Sequence, residues 1–258
     1  MVFVLHGNIE SLYTRIVLVC AAEMGIMDTP AFEFRVVEWS QIFGSDESFD
    51  FDASPLKRVP WFEDTDNGIK LYESRSIAKY MAMKIRSPLI PDLSTPEAFA
   101  LFDNACSIEL GDFHQNCYPL CRHLFINPVF NNVPTDSHIL SFFMTTFEKT
   151  LRQYERILST QKFVAGDQLT IVDLFHVPFG YMAAQSGGNP TLAAGTEAFP
   201  NRLDDFVPIA RPPTPSSSDV PHLPHVQRWW STLTSLPSFK RINAEFEQSI
   251  VARLQKRK

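Results

Sequence analysis

Two short stations in the chain carry residue types suited to holding a charged peptide. In the stretch VPWFEDTDNGIKLYES, Val59-Pro60 opens an apolar run and Glu73-Ser74 closes the segment. Pro60 has no N–H for a central ladder and so belongs at the first position of a strand. A cis Val59–Pro60 bond there turns a backbone edge outward, where an extended peptide can pair with it. After Tyr72, apolar residues recur at Ile77, Tyr80, Met81 and Ile85. That helical spacing makes Ser74 the expected N-cap, and a helix N-terminus draws carboxylates. Ser11 stands before a second helical pattern and taken alone reads as an ordinary N-cap. The stretch HQNCYPLC sets His114, Cys117 and Cys121 three and four apart, but no fourth ligand or Cys-x-x-Cys accompanies them, so no metal site is expected.

These stations need elements to hold them. VFVLHG reads as a buried strand ending at Gly7, and SLYTRIVLVCAAEMGI places Ile16, Val17, Val19, Cys20 and Met24 on one helical stripe. AFEFRVVEW alternates as a second strand. Asp66-Asn67-Gly68 can take the positive φ values of a tight hairpin between Trp61-Phe62 and Ile69–Tyr72. The resulting order, β-α-β-loop-β-β-α, is thioredoxin-like. RSPLIPDLSTP, residues 86–96, is a proline-rich linker. Helical patterns follow, from about Pro96 to Leu124, from Ser137 to Thr160, over TIVDLFHVPFGYMAAQ and over HVQRWWSTLTSLPSFKRI. The sequence therefore predicts an α/β plus all-α protein: a thioredoxin-like domain over 1–85, a linker over 86–96, and an all-helical domain over 97–258 with a long Pro/Gly/Ser-rich loop at about 187–224.

Composition narrows the classes of function. A length of 258 residues accommodates two domains, and a net charge of −6 argues against a nucleic-acid surface. No apolar run approaches the roughly 18–20 residues that span a bilayer. The first residues have neither the charged flank nor the apolar stretch of a signal peptide. Four scattered cysteines do not make a disulfide framework. A cytoplasmic protein with reduced thiols is expected.

A thioredoxin-like half joined to a helical half resembles the glutathione transferases, and several motifs agree with that layout. Val59-Pro60 followed by Glu73-Ser74-Arg75-Ser76-Ile77 resembles the family's glutathione-site signature. GNIESLYTRIVL is similar to the phi class of plants and fungi, with Ser11 and Thr14-Arg15 in the expected places. FVAGDQLTIVDL looks like the family's capping-box motif, in which Thr170 caps a buried helix and Asp173 reaches back.

The resemblance implies a transferase that conjugates glutathione to hydrophobic electrophiles and reduces organic hydroperoxides, with glutathione as co-substrate and no bound cofactor. Ser11 is then the catalytic residue, its hydroxyl stabilising the thiolate. Val59 and Pro60 present backbone to the cysteinyl unit, Ser74 holds the γ-glutamyl carboxylate, and Glu73 meets the ammonium. Phe113, Cys117, Tyr118 and Cys121 are candidate walls of a second-substrate pocket, with core filling as the other reading. Where the phi pattern has a His/Lys-type pair, this chain carries Asp46, Glu47, Asp50 and Asp52. Lys57 and Arg58 are left either to meet the glycyl carboxylate or to form a solvated basic pair. A homodimer is implied, and the 187–224 loop reads either as a lid over the second substrate or as surface decoration. The competing reading of function is a ligandin that binds small aromatic compounds without turnover.

Overall fold

The computed structural model describes residues 2–44, 51–134, 136–193 and 222–256. It divides into two compact units, Met1–Pro91 with Pro237–Ile250 and Asp92–Leu236 with Val251–Lys258.

The first unit is built on a four-stranded sheet of order β2-β1-β3-β4, with β1 at Phe3–Gly7, β2 at Phe32–Val36, β3 at Trp61–Asp64 and β4 at Ile69–Leu71. β1 runs parallel to β2 and antiparallel to β3, which is antiparallel to β4. α1 (Leu12–Glu23) and α3 (Ser74–Lys84) complete the expected order, and a short α2 (Trp39–Phe43) lies where the sequence predicts only a loop after β2. The hairpin differs in detail from the sequence reading. Of its loop residues only Gly68 has a positive φ, +69°. Asp66 and Asn67 are held at negative φ by side-chain bonds, Asp66 N–H to Asp64 Oδ1 and Ile69 N–H to Asn67 Oδ1.

α1 is not amphipathic in the way one apolar stripe suggested. Leu12 and every residue from Thr14 to Ala21 are buried. The reason is that α1 is covered twice. α3 packs on it, and residues from the 237–250 segment reach it, with Asn243 and Phe246 on Arg15. Two further bonds from that segment, Ser238 to Glu23 and the Arg241–Asp28 pair, lie at the last residue of α1 and just beyond it. The sequence predicts this segment within the helical domain of residues 97–258, whereas it groups with the first unit.

In the second unit, α4 (Pro96–Ile108) is capped by Thr95, whose Oγ1 accepts from Ala98 N–H at 3.2 Å. The helix then continues through a π-helical turn at Glu109–His114, α5 (Gln115–Cys121) and a second π-helical stretch at Arg122–Asn131. It ends at Asn132, in the left-handed region at φ 52°. It therefore runs past the Leu124 boundary read from the sequence. Pro119 and Pro128 lie inside it. Each removes an α-ladder donor, which wider π-type pairing accommodates at Pro128.

α6 (Ser137–Leu158) buries Leu140, Phe147, Leu151, Tyr154 and Leu158 along one face. α7 (Ile171–Gln185) starts with the expected capping box of Thr170 and Asp173. The buried Asp173 carboxylate also accepts from Val164 N–H at 2.9 Å and Trp229 Nε1–H at 3.0 Å. Burial raises its pKa against the pull of these donors. A four-residue α8 (Pro190–Ala193) follows. The stretch HVQRWW…FKRI is two helices rather than one, α9 (Pro224–Ser235) and α10 (Pro237–Gln255), because Pro237 begins a new first turn after the extended Leu236. Most of the 187–224 stretch lies outside the described residues.

Candidate functional site

Strand directions bring the sequence-predicted stations to one end of the sheet. β1 ends where β3 begins, with His6 opposite Trp61, and β4 ends opposite the start of β3, with Leu71 facing Phe62. β2, parallel to β1, finishes at the same end. The residues that follow β1, β2 and β4 and those that precede β3 therefore share one rim of the first unit. They include Ser11, Trp39, Arg58, Val59, Pro60, Glu73 and Ser74.

Ser11 is the N-cap of α1 and is 8% exposed. Its Oγ accepts from Thr14 N–H at 3.3 Å, and its own N–H donates to Asn8 O at 3.0 Å. The cap uses the hydroxyl oxygen as acceptor and leaves the hydrogen to donate to an incoming anion. The α1 N-terminus adds partial positive charge there. Capping and anion contact are thus compatible in one side chain. The turn requires Gly7, because a Cβ at that position would lie 2.6 Å from Thr14 Cγ2.

The Val59–Pro60 peptide bond is cis. Val59 packs into a small core of Val37, Ile42, Ala53 and Trp61, with Trp39 against it. Among the described residues, neither the N–H nor the C=O of Val59 has a hydrogen-bond partner, so the backbone just ahead of β3 is unpaired. The preceding turn is closed by Ser54, whose Oγ donates to Arg58 O at 2.9 Å and accepts from Arg58 N–H at 3.2 Å. Lys57, at φ 50°, donates its ammonium to Gly44 O at 2.8 Å. Arg58 is exposed. The two basic residues are therefore not equivalent. Asp52 is exposed, and Asp46, Glu47 and Asp50 lie outside the described residues.

At the far station the cap falls one residue earlier than expected. Glu73 is the N-cap, and Ser74 is the first helical residue, 4% exposed. The first intrahelical bond is Ile77 N–H to Glu73 O, so the N–H groups of the first turn lie ahead of the ladder. The Glu73 side chain makes no capping bond and is exposed.

The sequence reading missed Glu10 and its partners. Glu10 is 6% exposed and accepts from Trp39 Nε1–H at 2.6 Å and Ser249 Oγ–H at 3.1 Å. Adjacency to Ser11 was the one available signal for Glu10. Nothing in the sequence marks Ser249, 239 positions away.

In the second unit, Phe113, Cys117 and Cys121 are fully buried and fill its core. Phe113 packs edge-on against Phe147 and His176, and Cys121 Sγ donates to Phe179 O at 3.3 Å. Burial also pushes the Cys117 thiol well above its ordinary pKa. Tyr118 keeps some surface and stacks on His114 at 5.7 Å between ring centroids. Cys20, in the first unit, is buried within α1, and its thiol too is pushed far up. Among the described residues, no group of three or more His, Cys, Asp or Glu side chains is arranged to hold a metal. No helix there is long and apolar enough to cross a membrane.

Residues 144–237 match the family described as the glutathione S-transferase C-terminal domain. The chain is 33% identical over 188 residues to glutathione S-transferase PM239X14 of Arabidopsis thaliana, covering 70% of this chain and 81% of that protein. It is likewise 33% identical over 190 residues to glutathione S-transferase hmp2 of Hypomyces subiculosus, covering 70% and 85%. Among solved structures, glutathione transferase F7 from Populus trichocarpa superposes with a TM-score of 0.72 at 26% identity, covering 95% of this chain and 99% of that one.

Proposed function

The chain belongs to the glutathione S-transferase family, and from that premise we propose that it is a serine-type transferase in which Ser11 holds the glutathione thiolate. The observation that supports this most is the shared rim, where a hydroxyl at one helix start, a free backbone edge and a second helix start follow the layout of a tripeptide with two carboxylates. Free glutathione is mostly thiol at neutral pH, since an ordinary thiol titrates near ~8.5, and conjugation requires the anion. The Ser11 O–H donates to sulfur at the positive end of α1, which lowers the thiol pKa. The Val59 N–H and C=O pair with the cysteinyl backbone in strand fashion. The α3 N-terminus and Ser74 take the γ-glutamyl carboxylate, Glu73 takes the ammonium, and Arg58 takes the glycyl carboxylate, because the Lys57 ammonium already serves Gly44 O.

The thiolate then attacks the electrophilic carbon and displaces its leaving group. In reduction of an organic hydroperoxide the same anion attacks the outer oxygen, the O–O bond breaks to release the alcohol, and a second glutathione converts the resulting sulfenic acid to the disulfide with loss of water. Tyr118, the one predicted wall residue with surface left, is the proposed aromatic contact for the second substrate in its unit. A homodimer belongs to the same reading, supported by exposed Ile69, Tyr72 and Met83 in the first unit and Phe99 and Leu101 in the second. So does a cytoplasmic location, supported by four free cysteines. The deciding experiment measures conjugation of glutathione to an aryl halide by wild type and Ser11→Ala. Binding of glutathione and of aromatic ligands without turnover in wild type would replace the transferase by the ligandin reading.

A further inference from the structure

A carboxylate next to a residue that must stabilise an anion is electrostatically adverse, since a neighbouring negative charge raises a thiol pKa. Glu10 occupies that place, one residue before Ser11. Its carboxylate does not point into open solvent. Oε2 accepts from the Trp39 indole N–H at 2.6 Å, and Oε1 accepts from the Ser249 hydroxyl at 3.1 Å. The two donors come from α2 and from the 237–250 segment, so one side chain ties both to the turn between β1 and α1. Its backbone is fixed as well. Glu10 N–H donates to Asn8 Oδ1 at 3.0 Å, Asn8 Nδ2 donates to Val37 O at 3.0 Å, and Ser11 N–H donates to Asn8 O at 3.0 Å. Every residue from Asn8 to Ser11 except Ile9 thus takes part in a bond that fixes where the Ser11 hydroxyl stands.

We propose that Glu10 is a positioning residue for Ser11, a clasp that joins Trp39 and Ser249 and so sets the turn presenting the Ser11 hydroxyl. The clasp rests on the reading of Ser11 as the thiolate's partner. Geometry and charge act in opposite directions here, which makes the two roles separable. If Glu10 acts by position, removing it lets Ser11 drift and raises the pKa of the bound thiol. If it acts by charge alone, removing it lowers that pKa.

The test uses the full chain and three variants, Glu10→Ala, Glu10→Gln and Ser249→Ala. Three quantities are read: glutathione affinity by calorimetry, the bound thiol's pKa from the ultraviolet absorbance of the thiolate, and kcat and KM with a chlorodinitrobenzene electrophile. Glu10→Ala is expected to raise the bound thiol's pKa and lower kcat about tenfold, with glutathione affinity within about twofold of wild type. Glu10→Gln recovers most of that loss, because an amide oxygen still accepts from Trp39 and the amide N–H₂ still reaches the Ser249 hydroxyl. Ser249→Ala moves the same quantities by less. A lowered thiol pKa in both Glu10 variants, or unchanged kcat in Glu10→Ala, overturns the proposal. If Glu10→Ala does not fold, Ser249→Ala and Glu10→Gln decide: slower turnover in the first with recovery in the second supports the clasp, and two wild-type profiles overturn it. If the wild-type protein neither binds glutathione nor lowers its thiol pKa, the transferase reading has failed instead. The clasp is then decided by hydrogen exchange at the Ser11–Arg15 amides, faster in Glu10→Ala if it holds the turn and unchanged if it does not.

Discussion

The guanidinium carbon of Arg15 lies over the ring of Phe246, 3.6 Å from its centroid. Arg15 is 1% exposed, and its Nη1 also donates to Asn243 Oδ1 at 3.4 Å. A buried charge needs compensating contacts, and here an aromatic face supplies one. Phe246→Leu keeps apolar volume but removes the π-face, and is expected to lower stability by about 1–3 kcal/mol. Arg15→Lys should lose a comparable amount, since a compact ammonium does not stack as a guanidinium does. Denaturant midpoints check both, and an unshifted midpoint in Phe246→Leu would show that the ring contributes only bulk.

Ser11→Ala is expected to lower kcat/KM for conjugation by about 10- to 100-fold while glutathione affinity stays within about twofold. The cap bond to Thr14 N–H is lost too, so a stability loss of about 1 kcal/mol accompanies it. A turnover equal to wild type from slightly acid to slightly alkaline pH would remove Ser11 from the mechanism.

Arg58 and Lys57 should separate on substitution. Arg58→Ala is expected to weaken glutathione binding by about 1–2 kcal/mol through loss of a charge-assisted contact. Lys57→Ala breaks the bond to Gly44 O and should show itself as lower stability with a smaller change in affinity. Titration calorimetry distinguishes them, and the reverse order would assign the glycyl carboxylate to Lys57.

Asp64 gives the first unit an acid limit. The Tyr80 hydroxyl donates to Asp64 Oδ2 at 2.6 Å and Lys84 Nζ lies 3.3 Å from the same oxygen, joining the hairpin to α3. Burial raises the Asp64 pKa, but Tyr80, Asp66 N–H and Lys84 outweigh it and hold the group below its ordinary 3.8. A depressed carboxylate pKa stabilises the fold above the unfolded value, and that stabilisation is lost as pH falls through the folded one. Wild type is therefore expected to lose stability below pH 3.8 more steeply than Asp64→Asn. Thermal melts of the two proteins across the acid range check this, and parallel curves would contradict it.

A homodimer is expected to sediment at twice the 29.4 kDa of the chain. Met83, 60% exposed, is the probe: Met83→Asp should shift the population toward monomer, seen as a lower sedimenting mass at the same protein concentration. A wild-type protein that sediments as a single chain over a wide concentration range would contradict the dimer.

The sequence by itself determined what rests on neighbouring residues. The Thr170–Asp173 capping box, the left-handed Gly68, the strand start at Val59–Pro60 and the helix starts near Ser11 and Ser74 depend on φ, on donors and on spacing within a few positions. They were legible for that reason, to within one residue at Pro60, after which β3 begins, and at Ser74. The tertiary structure alone decided which surfaces are covered. Phe113, Cys117 and Cys121 share the types and spacing of a pocket wall, yet Phe147, His176 and Phe179 close over two of them, and all three are buried. α1 reads as amphipathic, yet a segment more than 200 positions away covers its other side. The burial of Glu10 is decided by Trp39 and Ser249, which reach it from elsewhere in the chain. Periodicity tells a helix which face to bury, but the partner on that face depends on the packing of the whole chain, because a hydroxyl or a ring at position 249 or 246 carries no local mark of what it will touch.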